Sequence, residues 1–263
     1  MIKKINCIAC GMCAKDCIPR RCITVVEDGV EIDLDVCNAC GHCQAVCPTD
    51  AMDNPKAPRQ PLCGEHPAAE DMERYLRMVR SVRQWKDSLV PRETMERLLT
   101  MGTYCQTGTN LQGISYLVLE GREKVKALNE LYCSEIKRIP SSHPQFEWFN
   151  GPIKRQETIK EDIIFRNAPQ LILALADKDM LQGRESAQFA LTFIALLAPS
   201  LGVGTCWAGL LERLAANDEY AAPFLKFFNV PEGKAIRGAM MVGLPNVKYR
   251  RLVARNPLSL DWR

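Results

Sequence analysis

The pattern of apolar and polar positions predicts regular structure over most of the chain beyond residue 60. Met72, Tyr75, Leu76 and Val79 recur at helical spacing, and a second helix is expected to begin near Pro91. Another helix is predicted for REKVKALNELYCSEIKR, and strands are predicted for ISYLVLEG, PQLILALAD and AIRGAMMVGLP. A buried central helix is predicted for ESAQFALTFIALLAPSLG, because this stretch is apolar on all sides.

These elements indicate an α+β fold, since helices outnumber strands and do not alternate regularly with them. The stretch PTDAMDNPKAPRQPLCGEHPAAED carries five prolines and predicts a linker. We therefore expect two domains, residues 1–60 and residues 61–263. Within the first, CITVVEDGVEID predicts two short strands around a turn at Asp28-Gly29.

Composition narrows the class of protein. Of 263 residues, 47% are hydrophobic, which suffices for a sizeable core. The net charge of +3 is small and gives no reason to expect binding to nucleic acid or to an anionic membrane. The longest apolar stretch begins at Phe189, is too short to span a bilayer and contains Pro199. The N-terminus lacks the apolar run of a signal peptide. We expect a cytoplasmic protein, in which thirteen cysteines are not disulfides.

Nine of the thirteen cysteines fall in residues 7–47, and eight of these form two copies of the run C-x2-C-x2-C-x3-C. Zinc sites typically use two cysteine pairs separated by a longer loop, and zinc remains the main alternative here. The repeated run is typical of bacterial proteins with two [4Fe–4S] clusters, in which the fourth cysteine binds the opposite cluster. Residues 1–52 accordingly resemble a bacterial two-cluster ferredoxin.

The crossed pattern predicts two ligand sets. Cluster I is expected to take Cys7, Cys10, Cys13 and Cys47, and cluster II to take Cys37, Cys40, Cys43 and Cys17. Gly11 and Gly41 follow the second cysteine of each run, where the backbone must approach a cube. Cys22 is an extra cysteine that we do not expect to be a ligand.

The larger domain has neither a G-x-x-x-x-G-K-[ST] loop nor a G-x-G-x-x-G fingerprint, which leaves a Rossmann site unsupported. Three other stretches matter because of their order along the chain. They are Arg80-Ser81-Val82-Arg83 at the end of the first predicted helix, then Thr107-Gly108-Thr109-Asn110-Leu111-Gln112, then Leu201-Gly202-Val203-Gly204-Thr205-Cys206-Trp207. With the basic segment YRR near the C-terminus, this ordered set resembles the FMN-dependent nitroreductase family over about residues 70–260.

The resemblance implies where FMN binds. Cations suit the phosphate dianion, and Arg80, Arg83 and Arg251 are the candidates, with Arg250 and Lys248 in reserve. The resemblance places Arg83 near the N1–C2=O edge instead. Ser81 can donate to a phosphate or ribityl oxygen, and Asn110 matches the N3–H and O4 edge. The remaining expected FMN contacts are small or polar residues of the second and third stretches: Thr107, Gly108, Thr109, Gln112, Gly202, Val203 and Gly204.

The resemblance also implies an activity. The family fold is an α/β sandwich that forms an intertwined homodimer, and N5 of FMN passes hydride to a nitroaromatic, a quinone or an activated alkene. No catalytic side chain is expected. The two clusters predict single electrons from a low-potential donor such as ferredoxin. Two alternatives stay open: a dehydrogenase working in the oxidative direction, and an electron-transfer protein with no small-molecule substrate.

Overall fold

The computed structural model describes residues 2–3, 6–18, 20–144 and 146–263. The chain forms two compact units. The first comprises residues 1–66 together with Thr107–Leu111, and the second comprises Pro67–Gln106 and Gln112–Arg263.

The first unit contains a small antiparallel sheet and two short helices. Strands β1 (Ile2–Lys3), β2 (Ile23–Val26) and β3 (Gly29–Ile32) pair in the order β1-β3-β2, and the helices are α1 (Met12–Asp16) and α2 (His42–Ala45). The predicted hairpin is present, but Val26 pairs with Gly29, so the two-residue turn is Glu27-Asp28. Gly29, at φ 141°, belongs to the strand instead of the turn.

The second unit is built on a four-stranded antiparallel sheet. Its strands are β4 (Ser115–Glu120), β5 (Gln170–Asp177), β6 (Gly204–Trp207) and β7 (Lys234–Gly243), in the order β4-β5-β7-β6. Seven α-helices accompany this sheet in the described part of the unit: α3 (Ala69–Met78), α4 (Arg92–Gly102), α5 (Arg122–Ile136), α6 (Phe146–Ile159), α7 (Gly183–Leu197), α8 (Gly209–Ala215) and α9 (Ala222–Phe227). The predicted α+β class is confirmed.

The sheet has a hydrophobic core on each face. Leu171 and Leu173 of β5 point into one core with α5, while Ile172 and Ala174 point into the other with α4 and α7. Because β5 is buried on both faces, its sequence is continuously apolar instead of alternating. This explains why the strand was recognisable from sequence.

Three elements differ from the sequence-based expectation. Helix α3 ends at Met78 and Val79 is extended, so the stretch from Arg80 to Arg83 lies after the helix and is not part of it. Gly204–Trp207, for which no strand was predicted, forms strand β6. Helix α7 buries one face only, and Phe189 is 42% exposed. Among the described residues, no helix has both the length and the apolarity needed to cross a membrane.

Candidate cofactor sites

The two cysteine runs fold into the same backbone conformation. Ala9 and Ala39 occupy matching positions at φ 51° and 56°, and Gly11 and Gly41 follow at φ 72° and 75°. Glycine adopts this left-handed region without the steric penalty that other residues incur. Each loop then leads directly into a short helix, α1 or α2, so the sequence repeat becomes a structural repeat.

The structure brings together the four cysteines expected for cluster I. Cys7, Cys10, Cys13 and Cys47 line one cavity, so three come from the first run and one from the second. Its walls also include apolar residues, Met52 among them. The backbone N–H of Ala51 donates to Cys47 Sγ at 3.2 Å, which suits a thiolate ligand.

Three of the cysteines expected for cluster II pack in the same small core as the buried Cys22. Cys43 is buried, Cys17 and Cys37 pack against this core, and Cys40 is exposed. Cys22 Sγ lies 3.3 Å from Cys17 Sγ. Burial, followed by the contact with Cys17, raises the pKa of Cys22 to about 12, which keeps it a neutral thiol.

Asn54 is a contact that sequence reasoning missed. Its side chain is buried, and its Nδ2 donates to Cys37 Sγ at 3.4 Å and to Cys43 Sγ at 3.7 Å. Burial raises the pKa of Cys37, but the Asn54 amide and other hydrogen bonds outweigh burial and hold that pKa below its usual value. A lone asparagine in a proline-rich stretch carries no sequence signal for this role.

These cysteines fit a cluster better than a single ion. Among the described residues, no three cysteine, histidine or acidic side chains converge closely enough to hold one metal ion. Cys7, Cys10, Cys13 and Cys47 instead surround a cavity. Four thiolates around a cavity are the donor set of a [4Fe–4S] cube.

A cavity of about 390 Å³ in the second unit, hereafter the Arg80 cavity, collects residues from two of the three stretches in the expected FMN motif. Arg80, Ser81 and Arg83 line it. The lining also includes Trp207 at the end of β6 and Arg255 from the C-terminal segment. Three guanidinium groups and the hydroxyl of Ser81 are among the donors that suit a phosphate, and the volume is typical of ligand pockets.

Backbone pairing holds the Arg80 segment against β6. Ser81 forms a parallel bridge with Thr205, and the Val82 N–H donates to the Thr205 carbonyl at 2.9 Å. Gly204 allows this close approach, because a Cβ there would lie 2.7–2.9 Å from three atoms of Val82. The glycine therefore has a packing reason in addition to the flavin contact expected from sequence.

The C-terminal segment reaches the same cavity by a route that the sequence did not identify. Tyr249 Oη donates to the Ser81 carbonyl at 3.2 Å, and Tyr249 and Arg255 line the cavity. Arg250 and Arg251, the predicted phosphate ligands, are exposed beside this contact. The sequence shows that the C-terminal segment is basic. It does not show which arginine lines the cavity, because that depends on tertiary contacts.

The Thr107–Leu111 loop groups with the first unit. Gly108–Asn110 forms a 3₁₀ turn, and Thr109 and Asn110 both have positive φ. Asn110 Nδ2 donates to the Asn38 carbonyl at 3.0 Å, beside the second cysteine run. Gln112, also at positive φ, belongs to the second unit. The flavin contacts expected of Thr107, Gly108, Thr109, Asn110 and Gln112, and of Gly202 and Val203, stay predictions.

Comparisons with known proteins match two parts of the chain. A model of the Nitroreductase family matches residues 76–244, and a 4Fe-4S binding domain model matches residues 30–53. A component of the ion-translocating oxidoreductase complex of Methanosarcina acetivorans is 44% identical over 50 residues. That match covers 19% of this chain, and the chain spans only 19% of that relative's length.

Solved structures show the fold. A nitroreductase with bound FMN from Bacteroides fragilis has a TM-score of 0.58 at 18% identity, covering 73% of this chain and 98% of that one. A nitroreductase with bound FMN from Desulfitobacterium hafniense gives 0.57 at 18% identity, with the same coverage. A BluB-like flavoprotein from Clostridium difficile gives 0.55 at 17% identity, covering 71% and 94%.

Proposed function

Because the chain belongs to the nitroreductase family, we propose that it is an iron–sulfur flavoprotein oxidoreductase that reduces a small, electron-poor organic acceptor. A low-potential donor such as ferredoxin delivers single electrons to two [4Fe–4S] clusters, and the acceptor is a nitroaromatic, a quinone or an activated alkene. The observation that carries the proposal is one chain with both a cavity lined by four cysteines and a cavity lined by three arginines.

Arginines of the Arg80 cavity hold the phosphate of FMN. Arg80 and Arg255 are the primary cations, Ser81 donates to a phosphate or ribityl oxygen, and Arg83 supports the ring edge. Arg250 and Arg251 add positive charge nearby. Bound FMN and clusters would supply the exchange between one-electron and hydride chemistry, which no side chain of this protein can provide.

The crossed cysteine sets hold the clusters. Cluster I uses the cavity between Cys7, Cys10, Cys13 and Cys47, and cluster II uses Cys37, Cys40, Cys43 and Cys17. Thiolate ligation requires reduced cysteines, which fits a cytoplasmic location.

A homodimer is part of the proposal. The last residues form no helix or strand and expose three large apolar side chains, Leu258, Leu260 and Trp262, at 59–87%. Exposed apolar side chains of this size are stabilised by burial against another surface. A second copy of the chain, bound through this segment, would provide that surface.

The experiment supplies electrons from reduced ferredoxin to anaerobically purified holoprotein and follows reduction of a quinone and a nitroaromatic. Cys13→Ser should abolish ferredoxin-driven turnover, whereas Cys63→Ser, which changes an exposed cysteine outside both runs, should not. Equal turnover in the two variants would remove the clusters from the pathway.

The alternatives give different results in the same assay. No turnover of any acceptor, together with rapid flavin reduction, would indicate an electron-transfer protein without a small-molecule substrate. Reduction of ferredoxin by the holoprotein and an added organic donor would indicate the oxidative direction. Full activity with NADPH alone would indicate a nitroreductase that does not need its clusters.

A further inference from the structure

A second cavity of the larger unit lies beside the Arg80 cavity and shares Trp207 with it. This cavity, hereafter the Arg184 cavity, has a volume of about 410 Å³ and is lined by residues of α6, α7 and α8. Both cavities have the volume of small-molecule sites. Trp207 is therefore part of the lining of both the Arg184 cavity and the cavity proposed to hold FMN.

The Arg184 cavity is strongly cationic. Arg166, Arg184 and Arg213 line it, and Glu212 contributes the one carboxyl group among its lining residues. The Arg213 guanidinium stacks 4.4 Å from the ring centroid of Trp148, an arrangement that restricts its position. Guanidinium groups form paired hydrogen bonds with planar carboxylates, and the indoles of Trp148 and Trp207 offer an apolar surface to a flat ligand.

Glu212 is only 5% exposed and organises one wall of this cavity. Its Oε1 accepts a hydrogen bond from Gln188 Nε2 at 3.4 Å and lies 3.7 Å from an Arg184 nitrogen, while its buried Oε2 has no hydrogen-bond partner among the described residues. Burial raises the pKa of Glu212, while the hydrogen bond from Gln188 and the charge of Arg184 lower it.

We propose that the Arg184 cavity binds the electron acceptor and that this acceptor is a small planar molecule carrying a carboxylate. The statement that this ligand is the electron acceptor rests on the proposed reductase function. The statement that the ligand carries a carboxylate rests on the positive charge of Arg166, Arg184 and Arg213.

Calorimetric titration of the oxidised, cofactor-loaded protein with 4-nitrobenzoate and with its uncharged methyl ester tests the charge. The carboxylate should bind at least about tenfold more tightly, because a charge-assisted hydrogen bond contributes about tenfold to a hundredfold. Arg184→Gln and Arg213→Gln should each remove most of this preference. Arg155→Gln changes an exposed arginine of α6 that does not line the cavity, and this variant should keep the preference for the carboxylate.

Equal affinities for acid and ester, or a preference that survives both cavity substitutions, would overturn the anion site. Because the titration needs no electron donor, it is independent of turnover. If the acid binds with the expected arginine dependence but is never reduced, the proposed activity fails and the cavity is an anion site of another kind.

A separate observation concerns cluster II and also rests on its proposed ligands. The Asn54 amide is fixed in orientation, because its Oδ1 accepts the Lys56 backbone N–H at 3.0 Å. Its NH₂ group therefore faces Cys37 and Cys43. Hydrogen bonds to ligating sulfurs stabilise the more negative, reduced cluster and raise its reduction potential. We infer that Asn54 is a positioning residue that raises the potential of cluster II.

Redox titration of the holoprotein followed by electron paramagnetic resonance tests this inference, with cluster II defined as the signal that Cys37→Ser removes. Asn54→Ser and Asn54→Asp both retain an acceptor for the Lys56 N–H but lose the amide donor. The cluster II potential should fall in the order Asn, Ser, Asp, while cluster I stays constant. Unchanged potentials at full iron content would overturn the role of Asn54, whereas wild-type protein without clusters would instead overturn the proposed function.

Discussion

Gly204 offers the sharpest test of how the Arg80 segment is held. An alanine Cβ at this position would lie 2.7–2.9 Å from Cγ2, Cβ and Cγ1 of Val82. Val82 is 6% exposed and its N–H is bonded to Thr205, so it has little room to move. Overpacking of this kind costs about 1–3 kcal/mol, and replacing a strand glycine by alanine returns about 0.5–1 kcal/mol. With three contacts below 3.0 Å, we expect a net loss of about 2 kcal/mol for Gly204→Ala.

A double-mutant cycle identifies the cause of that loss. Val82→Ala removes two methyl groups and should cost about 1.6 kcal/mol, at about 0.8 kcal/mol for each buried group. Independent effects would sum to about 3.6 kcal/mol, but Val82→Ala removes Cγ1 and Cγ2 and so relieves two of the three close contacts, while the contact of 2.8 Å with Cβ of residue 82 remains. The double variant should therefore lose about 2.5 kcal/mol, which corresponds to a coupling of about 1 kcal/mol between these neighbours.

Urea unfolding at a fixed FMN concentration, followed by tryptophan fluorescence, measures these differences between variants. Gly204→Ala should also release FMN more readily, and Val82→Ala should restore part of this retention. Gly202→Ala is the matched control, since Gly202 has φ 69° and no atom within 4 Å of the position that a Cβ would take. Its loss should come from backbone strain and should not respond to Val82→Ala. Wild-type stability of Gly204→Ala, or additive losses in the double variant, would refute the packing argument.

Three further predictions address the cofactors and the assembly. Cys17→Ser should damage cluster II and Cys47→Ser should damage cluster I, as read from the separate cluster spectra; damage confined to the cluster of each cysteine's own run would contradict the crossing. Arg255→Gln should weaken FMN binding about tenfold to a hundredfold by equilibrium dialysis, whereas Arg251→Gln should have a smaller effect; the reverse order would exchange their roles. A chain ending at Asn256 should keep FMN but become monomeric in light scattering, and an intact dimer would place the interface elsewhere.

Local sequence information predicted the parts of this protein that depend on short-range geometry. The cysteine runs predicted their loops because spacing and glycine position determine where the thiols point. Strand β5 was recognisable because burial on both faces leaves a continuous apolar run. Strand β6 was not, since Gly204 to Trp207 is only four residues long and becomes a strand by pairing with β7.

Long-range contacts account for the rest. Helix α6 was missed because Gly151 and Pro152 interrupt its pattern, and both residues usually disfavour helix interiors. The choice of Arg255 over its neighbours depends on how the tail lies against Ser81. Asn54 is placed next to the cysteines by the fold of the first unit, and no local pattern marks it.

The proposed crossing would make the two cysteine loops depend on each other. Each loop, with its matching alanine and glycine at positive φ, would supply three thiols to one cluster and one thiol to the other, so neither loop would complete a cube alone. Assembly of the first cluster would then fix a ligand of the second, and oxidative loss of one would loosen the other. The two loops would then form a single cooperative unit, in which loading with one cluster is less favourable than loading with both.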